Sequence, residues 1–392
     1  MTSSSSPLVV AIMGTRPEII KMAPVVLALR AQGLNTLVLH TGQHEEMAWP
    51  LYAFFGIPPQ EVIQLQRAVN TLSALAGELV SEIGTVLSRL QPSAVLVHGD
   101  TSSAAMGALA AAFLRIPVGH VEAGLRSGRI DEPFPEEINR SLIGRVAQWH
   151  FAPTDQARNN LRWENVPGSI SVVGNTVVDA VQHASRHVRQ QRQQGTPIAN
   201  PDYQWFLASG AARLVLVTAH RRENWGQPME QIAAAVRELL TQCSDAAVVW
   251  PVHLNPLVQL AVRGAHAASP PDIQRRWRLT APLDYPPMVE LMDACQLLLT
   301  DSGGIQEEAL SLGKLLLVMR DVTERPEVIH CGGGMLVGAD PQRIVAAAKA
   351  ALDTGRLPQA KPLAAENPFG DGTSGTQIAT AIARHVQAPP NP

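Results

Sequence analysis

The stretch LVVAIMGTRPEIIKMAP, residues 8 to 24, decides how the first half of the chain is interpreted. An apolar run leads into one glycine and then into a segment of helical period, which is the order of strand, turn and helix that opens a nucleotide-binding α/β domain. A dinucleotide-binding turn would carry further glycines, but here Arg16, Glu18 and Lys21 follow Gly14. The stretch therefore predicts the fold of such a domain and argues against a bound redox dinucleotide.

Short apolar runs alternate with longer segments of helical period along the rest of the chain. The predicted strands are residues 8–14, 35–42, 94–100, 116–123, 149–153 and 170–174 in the first half, and 213–220, 246–253, 277–282, 297–302 and 315–319 in the second. Near-continuous apolar strands separated by helices are typical of parallel sheets covered on both faces. We therefore expect an α/β protein with two Rossmann-like, doubly wound domains that face each other across a cleft.

The chain of 392 residues is longer than one hydrophobic core usually holds, which also favours two domains. A polar stretch at 186–204, rich in Gln, Arg and turn formers, is a candidate boundary region. We predict a first domain over residues 1–177 and a second over residues 178–372. A predicted helix over 373–388 then returns to the first domain.

Composition excludes several classes of function. A hydrophobic share of 46%, a charged share of 17% and a net charge of -3 give no electrostatic reason to expect a nucleic acid or an anionic membrane as the partner. The three cysteines, Cys243, Cys295 and Cys331, form no CxxC pair, and the chain shows no HExxH pattern. We expect a cytoplasmic protein without a secretion signal, a membrane span, a metal or a cofactor.

Three carboxylates follow predicted strands or open a helix in the first half. Asp100 ends the strand of AVLVHGD, Glu122 ends the next strand, and Glu136 starts a helix after Pro135. Taken singly, Asp100 could cap a helix, Glu122 could pair with an arginine and Glu136 could suit the helix dipole. Together at one edge of a sheet they could instead divide the roles of acid and base.

The second half carries two candidate anion sites. The strand of RLVLVTAH ends in His220, followed by two arginines, and such a turn can hold phosphate. In LLLTDSGGIQEEA, a buried strand leads through Ser302, Gly303 and Gly304 into a helix whose amide groups could receive phosphate oxygens. Glu308 lies one turn further on, where it could bind ribose hydroxyls, and Arg325 of TERPE is a further phosphate candidate.

The ordered set of motifs resembles the bacterial non-hydrolysing UDP-N-acetylglucosamine 2-epimerases. The motifs are GTRPEIIKMAP, TGQH, VHGDT, PVGHVEAGLR, PFPEEINR, TAHRREN, PVHLNP, DSGGIQEEA and TERPE, and the resemblance extends from residue 8 to NPFGDG at 367–372. It implies a GT-B fold and a homodimer. It also implies interconversion of UDP-N-acetylglucosamine and UDP-N-acetylmannosamine without a metal or redox cofactor, which supplies N-acetylmannosamine units for surface polysaccharide.

The resemblance also implies a chemical route and residue roles. The family eliminates UDP across carbons 1 and 2 of the sugar, holds 2-acetamidoglucal, and adds UDP back after a proton arrives on the other face. The implied catalytic residues are Lys21, Asp100, Glu122, Glu136 and His220, and the implied substrate-binding residues are Arg16, Ser302, Gly303, Gly304, Glu308 and Arg325. Which carboxylate removes the proton and which returns it stays open.

The sequence departs from the family where many relatives bind UDP-N-acetylglucosamine as an activator. Gln43 and His253 of that regulatory site are present, but Glu45 and Glu46 replace the usual basic-polar pair and Val69 replaces an arginine. Because a carboxylate repels a second pyrophosphate, we expect weakened or altered activation. The alternatives to this function are an epimerase of a related UDP-2-acetamido sugar, a hydrolysing epimerase that releases N-acetylmannosamine and UDP, a UDP-sugar glycosyltransferase, and an inert sugar-nucleotide sensor.

Overall fold

The chain divides into two compact units, described below from a computed structural model. Unit 1 comprises the residues up to Ala180 together with those from Phe369 onwards, and unit 2 comprises Val181–Pro368. The residues described are 7–43, 48–66, 69–194, 200–358 and 366–387. None of the helices in these ranges is long and apolar enough to cross a bilayer.

Unit 1 is built on a seven-stranded parallel sheet in the order β3-β2-β1-β4-β5-β6-β7. Its strands are β1 Leu8–Met13, β2 Asn35–His40, β3 Glu61–Val62, β4 Ala94–His98, β5 Val118–Val121, β6 Trp149–Ala152 and β7 Ser169–Val172. Its helices are α1 Arg16–Ala31, α2 Trp49–Phe55, α3 Leu72–Leu90, α4 Ser102–Phe113, α5 Glu136–Val146, α6 Asp155–Trp163, the start of α7 Thr176–Gln193, and the final α16 Ser374–Val386.

Unit 2 repeats this plan with six parallel strands in the order β10-β9-β8-β11-β12-β13. Its strands are β8 Arg213–Thr218, β9 Ala246–Pro251, β10 Trp277–Thr280, β11 Leu297–Thr300, β12 Leu315–Val318 and β13 Gly334–Leu336. Its helices are α8 Pro201–Ala208, α9 Gln227–Gln242, α10 Pro256–Ala267, α11 Pro271–Arg275, α12 Tyr285–Ala294, α13 Gly303–Ser311, α14 Pro326–His330 and α15 Pro341–Thr354, besides the continuation of α7.

Strand order fixes where each unit can bind a ligand. In unit 1 the chain crosses from one half of the sheet to the other between β1 and β4, and in unit 2 between β8 and β11. Open α/β sheets bind ligands outside the carboxyl ends of the strands at such a switch point. Four loops therefore lie where a ligand would bind. They begin at Gly14 and Gly99 in unit 1 and at Ala219 and Asp301 in unit 2.

The predicted α/β fold class with two Rossmann-like units is confirmed, with differences at the ends of elements. The strand predicted at 94–100 ends at His98, so that Gly99 and Asp100 lie in the turn beyond it. Gly99 has a φ of 65°, a left-handed backbone that continues no strand. The polar stretch at 186–204 is helical up to Gln193, and the two units separate earlier, inside α7. Residues 195–199 lie outside the described part of the chain.

The last helix, α16, packs on α1 within unit 1 and needs a glycine to do so. A Cβ atom placed on Gly375 would lie 2.8 Å from the backbone carbonyl of Pro24 in α1. The amide of Gly375 also donates to the buried carboxylate of Asp179 at 2.8 Å. This close backbone approach brings the end of the chain onto the helix that carries Arg16 and Lys21.

Replacement of Gly375 with alanine tests this packing. We expect Gly375→Ala to lower the free energy of unfolding by about 1–3 kcal/mol, because neither the Pro24 backbone nor α16 can shift without straining its neighbours. The matched control is Gly264→Ala in α10, where a Cβ meets no described atom within 4 Å. There alanine should stabilise the helix by roughly 0.5–1 kcal/mol. Urea unfolding curves measure both effects, and equal effects of the two variants would contradict the account.

Candidate functional site

The turn after β1 is closed by a side chain of its own helix. Glu18 is fully buried, and its Oε2 accepts hydrogen bonds from the backbone amides of Gly14 at 2.9 Å and Thr15 at 2.8 Å. Its Oε1 accepts a third from the Thr101 hydroxyl at 2.6 Å. Burial raises the pKa of Glu18 above its usual value, and these hydrogen bonds oppose the rise. The amides that would meet a pyrophosphate in a dinucleotide fold are thus already occupied.

Glu122 is a second carboxylate with several contacts at the carboxyl edge of this sheet. It follows β5 with a φ of 62°, and its side chain is 8% exposed. Its Oε1 pairs with the ammonium of Lys21 and accepts from the Asn175 side-chain amide at 3.0 Å. Its Oε2 lies 3.5 Å from Nε2 of His98. The partner of Glu122 is therefore the predicted catalytic lysine and not an arginine.

Asp100 lies in the adjacent turn and is held by α5. Its Oδ2 accepts from Nε of Arg140 at 2.9 Å and from Nη2 at 2.5 Å, and its backbone carbonyl accepts from Asn139 at 2.8 Å. Burial raises the pKa of Asp100, Arg140 opposes the rise, and the nearby Glu122 adds to it. Asp100 does not cap α4, because Thr101 does so by accepting from the amide of Ala104. Its carboxylate is therefore available for chemistry.

The structure brings Asp100 and Glu122 together, but it gives Glu136 a different environment. α5 begins at Glu136 after Pro135, as the sequence predicts. The buried carboxylate at this helix start is that of the next residue, Glu137, which pairs with Arg140 at 2.7 Å. Glu136 is half-buried and forms no ion pair within the described ranges. Its catalytic role stays a prediction.

Arg16 is half-buried and is the first residue of α1. No ion pair joins it to another residue in the described part of the chain, which leaves its guanidinium available to an anionic ligand.

Two buried histidines lie behind the carboxylates. Burial lowers the pKa of His98 to about 4, a shift that Glu122 opposes and Lys21 reinforces. Burial also lowers the pKa of His120 to about 3. Because Nε2 of His120 lies 2.7 Å from the carbonyl oxygen of Gly99, Nε2 carries the proton, and the buried Nδ1 has no partner among the described residues. Both rings are neutral at neutral pH, and His120 fixes the turn that carries Asp100.

In unit 2 one buried carboxylate organises the turn after β8. Asp301, with an exposed fraction of 0%, accepts from the amide of His220 at 3.0 Å, from the amide of Arg221 at 2.9 Å and from the Asn224 side chain at 2.9 Å. Its Oδ1 also lies 3.4 Å from Nδ1 of His220. Burial lowers the pKa of His220, and Asp301 opposes that shift. Asp301 thus orients the imidazole and stabilises its protonated form.

The turn between β11 and α13 has the features of an anion site. Ser302 is the N-cap of α13, and its side chain makes no capping hydrogen bond. A Cβ on Gly304 would meet no described atom within 4 Å, and one on Gly303 would lie 3.6 Å from Nη2 of Arg221. Neither glycine has a positive φ, so what they provide is open space beside the helix amides. Arg221, in the turn after β8, therefore lies next to this helix start.

Glu308 and Arg325 both lie in polar pairs within unit 2. Burial raises the pKa of Tyr285 well above its usual value, and the neighbouring carboxylate of Glu308 adds to the rise. Arg325 forms an ion pair with the buried Glu307. Arg325 is the N-cap residue of α14, and its side chain is 18% exposed. A phosphate at Arg325 would therefore meet a guanidinium that a carboxylate already orients.

The two candidate regulatory residues lie beside the candidate catalytic ones, each within its own unit. Oε1 of Gln43 accepts from the hydroxyl of Ser103, in the first turn of α4, at 2.6 Å. The ring of His253 lies 6.2 Å from that of His220, measured between centroids. Val69 is 59% exposed. Glu45 and Glu46 lie outside the described residues.

Unit 1 thus offers carboxylates flanked by cations, and unit 2 offers an open helix start flanked by an arginine and a histidine. The first set suits proton transfer, and the second suits a phosphate group. Two doubly wound α/β units of this topology, each with polar side chains at its switch point, define a two-domain α/β protein of the GT-B type.

Comparisons with known proteins place the chain within one family of that type. The family model described as UDP-N-acetylglucosamine 2-epimerase matches residues 27–383. A UDP-N-acetylglucosamine 2-epimerase of Escherichia coli K12 is 41% identical over 384 residues, which cover 95% of this chain and 98% of the relative. The chain belongs to the UDP-N-acetylglucosamine 2-epimerase family.

Solved structures agree with this assignment. The crystal structure of a Listeria monocytogenes protein proposed to be a UDP-N-acetylglucosamine 2-epimerase is 36% identical and superposes with a TM-score of 0.86, covering 98% of this chain and 97% of that one. The Neisseria meningitidis UDP-N-acetylglucosamine 2-epimerase, solved with UDP-N-acetylglucosamine bound, is 35% identical with a TM-score of 0.80, covering 96% of this chain and 100% of that one.

Sequence reasoning gave no role at these sites to several residues that shape them. They are His98, Glu137, Arg140 and Asn175 around the unit 1 carboxylates, and Asp301 behind His220. Arg140 and Asp301 stand inside quoted motifs, PFPEEINR and LLLTDSGG, so a charged residue within each motif was the available signal. Asn175 gave no signal, because only the fold brings it to Glu122.

The neutral state of His120 predicts a change in the pH dependence of stability. The pKa of His120 is about 3 in the folded protein, against about 6.5 in the unfolded chain. The contribution of this histidine to stability is therefore fully present above about pH 6.5 and is lost as the pH falls from about 6.5 to about 3. The loss for one such histidine is about 1.4 kcal/mol per pH unit. His120→Asn can still donate to Gly99 but does not titrate. The free energy of unfolding of this variant should therefore fall less steeply than that of the wild type between pH 6.5 and 5.

Urea unfolding at several pH values measures the two slopes. The matched control is His330→Asn, an exposed histidine at the end of α14, which should leave the slope unchanged. Parallel slopes for His120→Asn and the wild type would show that His120 is not held neutral.

Proposed function

We propose that this protein is a non-hydrolysing UDP-N-acetylglucosamine 2-epimerase that reversibly converts UDP-N-acetylglucosamine into UDP-N-acetylmannosamine. The observation that supports this most strongly is the pairing of Glu122 with Lys21, next to Asp100 held by Arg140, at the switch point of unit 1. Membership of the epimerase family, and a related structure solved with UDP-N-acetylglucosamine, support the substrate.

Epimerisation at carbon 2 cannot proceed by simple deprotonation, because this carbon is not adjacent to a carbonyl group. Direct removal of its proton would leave a carbanion without stabilisation. In the proposed route a carboxylate takes the proton from carbon 2 while UDP leaves carbon 1, which gives 2-acetamidoglucal. A second acid then delivers a proton to the opposite face of carbon 2, and UDP returns to carbon 1.

Asp100, Glu122 and Glu136 share the proton transfers in this proposal. Burial and the nearby Glu122 raise the pKa of Asp100, which favours its protonated form and suits it to exchange a proton with the sugar. Lys21 and Arg140 keep the cluster close to electrical balance.

UDP is held by unit 2 in this proposal. The amides of Gly303 and Gly304 at the start of α13, together with the Ser302 hydroxyl, receive the diphosphate, and Arg221 and Arg325 supply positive charge. Glu308 binds the ribose hydroxyls. His220, whose Nδ1 lies next to Asp301, stabilises the negative charge that the diphosphate carries when UDP leaves carbon 1 and before it returns. Arg16 also binds phosphate in this proposal.

A product assay tests the proposal. Incubation with UDP-N-acetylglucosamine should give a mixture with UDP-N-acetylmannosamine and no net release of UDP, as measured by proton and phosphorus NMR. Accumulation of free N-acetylmannosamine with UDP would instead show a hydrolysing epimerase. An unchanged substrate that nevertheless binds would support the sensor or a glycosyltransferase. Conversion of a modified UDP-2-acetamido sugar at a much higher kcat/KM would identify that sugar as the true substrate.

Conservative changes at the carboxylates separate chemistry from binding. We expect Asp100→Asn and Glu136→Gln to lower kcat by at least about 100-fold, because each removes a proton carrier. Binding of UDP, measured by calorimetry, should stay within about threefold of the wild type because neither carboxylate holds the nucleotide in the proposal. Exposed Glu82→Gln on α3 is the matched control. Full activity in both site variants would defeat the assignment.

Regulation is expected to differ from that of many relatives. Gln43 and His253 are retained, but Glu45 and Glu46 add negative charge and Val69 removes a positive one. Initial rates measured against UDP-N-acetylglucosamine concentration should therefore follow a nearly hyperbolic curve with a Hill coefficient close to about 1. A strongly sigmoidal curve would show that the second nucleotide site survives.

Two further parts of the proposal rest on the family alone. A homodimer is expected, and light scattering of the purified protein checks it. The product would supply N-acetylmannosamine units for a surface polysaccharide, which a deletion strain lacking those units would reveal.

A further inference from the structure

We propose that Glu18 is a positioning residue that acts as an internal anion. Its carboxylate occupies the amides at the start of α1, and its hydrogen bond with Thr101 fixes the turn of Asp100 relative to Lys21. The kinetic part of this inference rests on the proposed epimerase function, whereas the part on anion occupancy does not.

The first step of the argument is the place of the Glu18 carboxylate. The amides of Gly14 and Thr15 follow β1 at the switch point of unit 1, which is where a doubly wound fold receives the phosphate of its ligand. Both amides already donate to Oε2 of Glu18, whose exposed fraction is 0%. A phosphate would find the donors used and would be repelled by a carboxylate. This turn therefore excludes a pyrophosphate instead of binding it.

The second step is the link from Glu18 to the neighbouring turn. The Thr101 hydroxyl has a single proton, which it donates to Oε1 of Glu18 at 2.6 Å. Its oxygen accepts from the amide of Ala104 at 3.0 Å and so caps α4. Glu18 thereby joins the start of α1 to the start of α4 through hydrogen bonds that are buried at Gly14 and Thr15 and partly buried at Thr101, where an unpaired donor would be costly.

The third step is what lies on either side of this link. Lys21, three residues beyond Glu18 on α1, pairs with Glu122, whereas Asp100 directly precedes Thr101 and pairs with Arg140. The two catalytic candidates thus sit on segments that Glu18 holds together. A shift of about 1 Å between catalytic groups can cost about 100-fold in rate. Within the described ranges the hydrogen-bond partners of Glu18 are Gly14, Thr15 and Thr101, and none of the candidate catalytic side chains is among them.

Acetate rescue of Glu18→Ala tests the inference. The substitution removes Cγ, Cδ and both carboxylate oxygens, which are the same kinds of atom that acetate carries. We expect kcat of Glu18→Ala to fall about 100-fold and to recover at least about tenfold as acetate replaces chloride at constant ionic strength. Acetate should also raise the midpoint of thermal unfolding of this variant, because the anion binds only the folded state. Neither response should occur in the wild type.

The exposed Glu82→Ala on α3 is the matched control and should behave like the wild type in both measurements. A folded Glu18→Ala with wild-type kcat, or one that is inactive and shows neither acetate response, would overturn the inference. If the wild type shows no epimerase activity, the proposed function fails, but the thermal shift still decides whether acetate fills the place of the carboxylate.

If Glu18→Ala does not fold, Glu18→Gln decides the question. Glutamine keeps the shape of the side chain but turns an NH2 group toward a donor, because both carboxylate oxygens of Glu18 accept hydrogen bonds. We expect kcat to fall at least about tenfold, with KM within about twofold of the wild type, since a positioning group acts on the chemical step. A kcat equal to that of the wild type would overturn the inference.

Discussion

The buried carboxylate of Glu122 imposes the constraint on which the rest of the unit 1 site depends. A charge in a parallel α/β sheet is costly unless cations and donors surround it. Here α1 supplies the ammonium of Lys21 and the loop before α7 supplies the amide of Asn175, and the neutral ring of His98 at the end of β4 lies 3.5 Å away. These partners come from separate parts of the chain, so the site can form only when the sheet has brought their strands and helices into register.

The two units share a topology but use two turns at their switch points in opposite ways. In unit 1 the amides after β1 are occupied by Glu18, which leaves side chains as the means of contacting a ligand. In unit 2 the amide of Ser302 donates to the Thr300 hydroxyl, but the next two amides, of Gly303 and Gly304, face space that the uncapping side chain of Ser302 leaves open. One fold thereby provides a turn suited to acid-base chemistry and a turn suited to anion binding. This difference explains why the charged stretch after Gly14 is no damaged dinucleotide motif.

Much of this arrangement could be predicted from the sequence, and the reason is geometric. Parallel strands place their carboxyl ends at one edge, so Asp100 and Glu122, which follow two apolar runs of the first half, were expected to lie together. The pairing pattern could not be predicted, because Lys21 and Glu122 are 101 residues apart and only the register of β1, β4 and β5 brings them together. The role of Glu18 could not be predicted either, since nothing in its sequence context shows that it is buried.

Proton exchange at carbon 2 of the sugar tests the central claim most directly. In deuterated water, UDP-N-acetylglucosamine incubated with the wild-type protein should give UDP-N-acetylmannosamine with deuterium at carbon 2 and at no other carbon of the sugar. Prolonged incubation should label the remaining UDP-N-acetylglucosamine at the same carbon, because the reaction is reversible. Formation of UDP-N-acetylmannosamine that retains the original proton at carbon 2, or the absence of any exchange in a protein that binds UDP, would contradict the account.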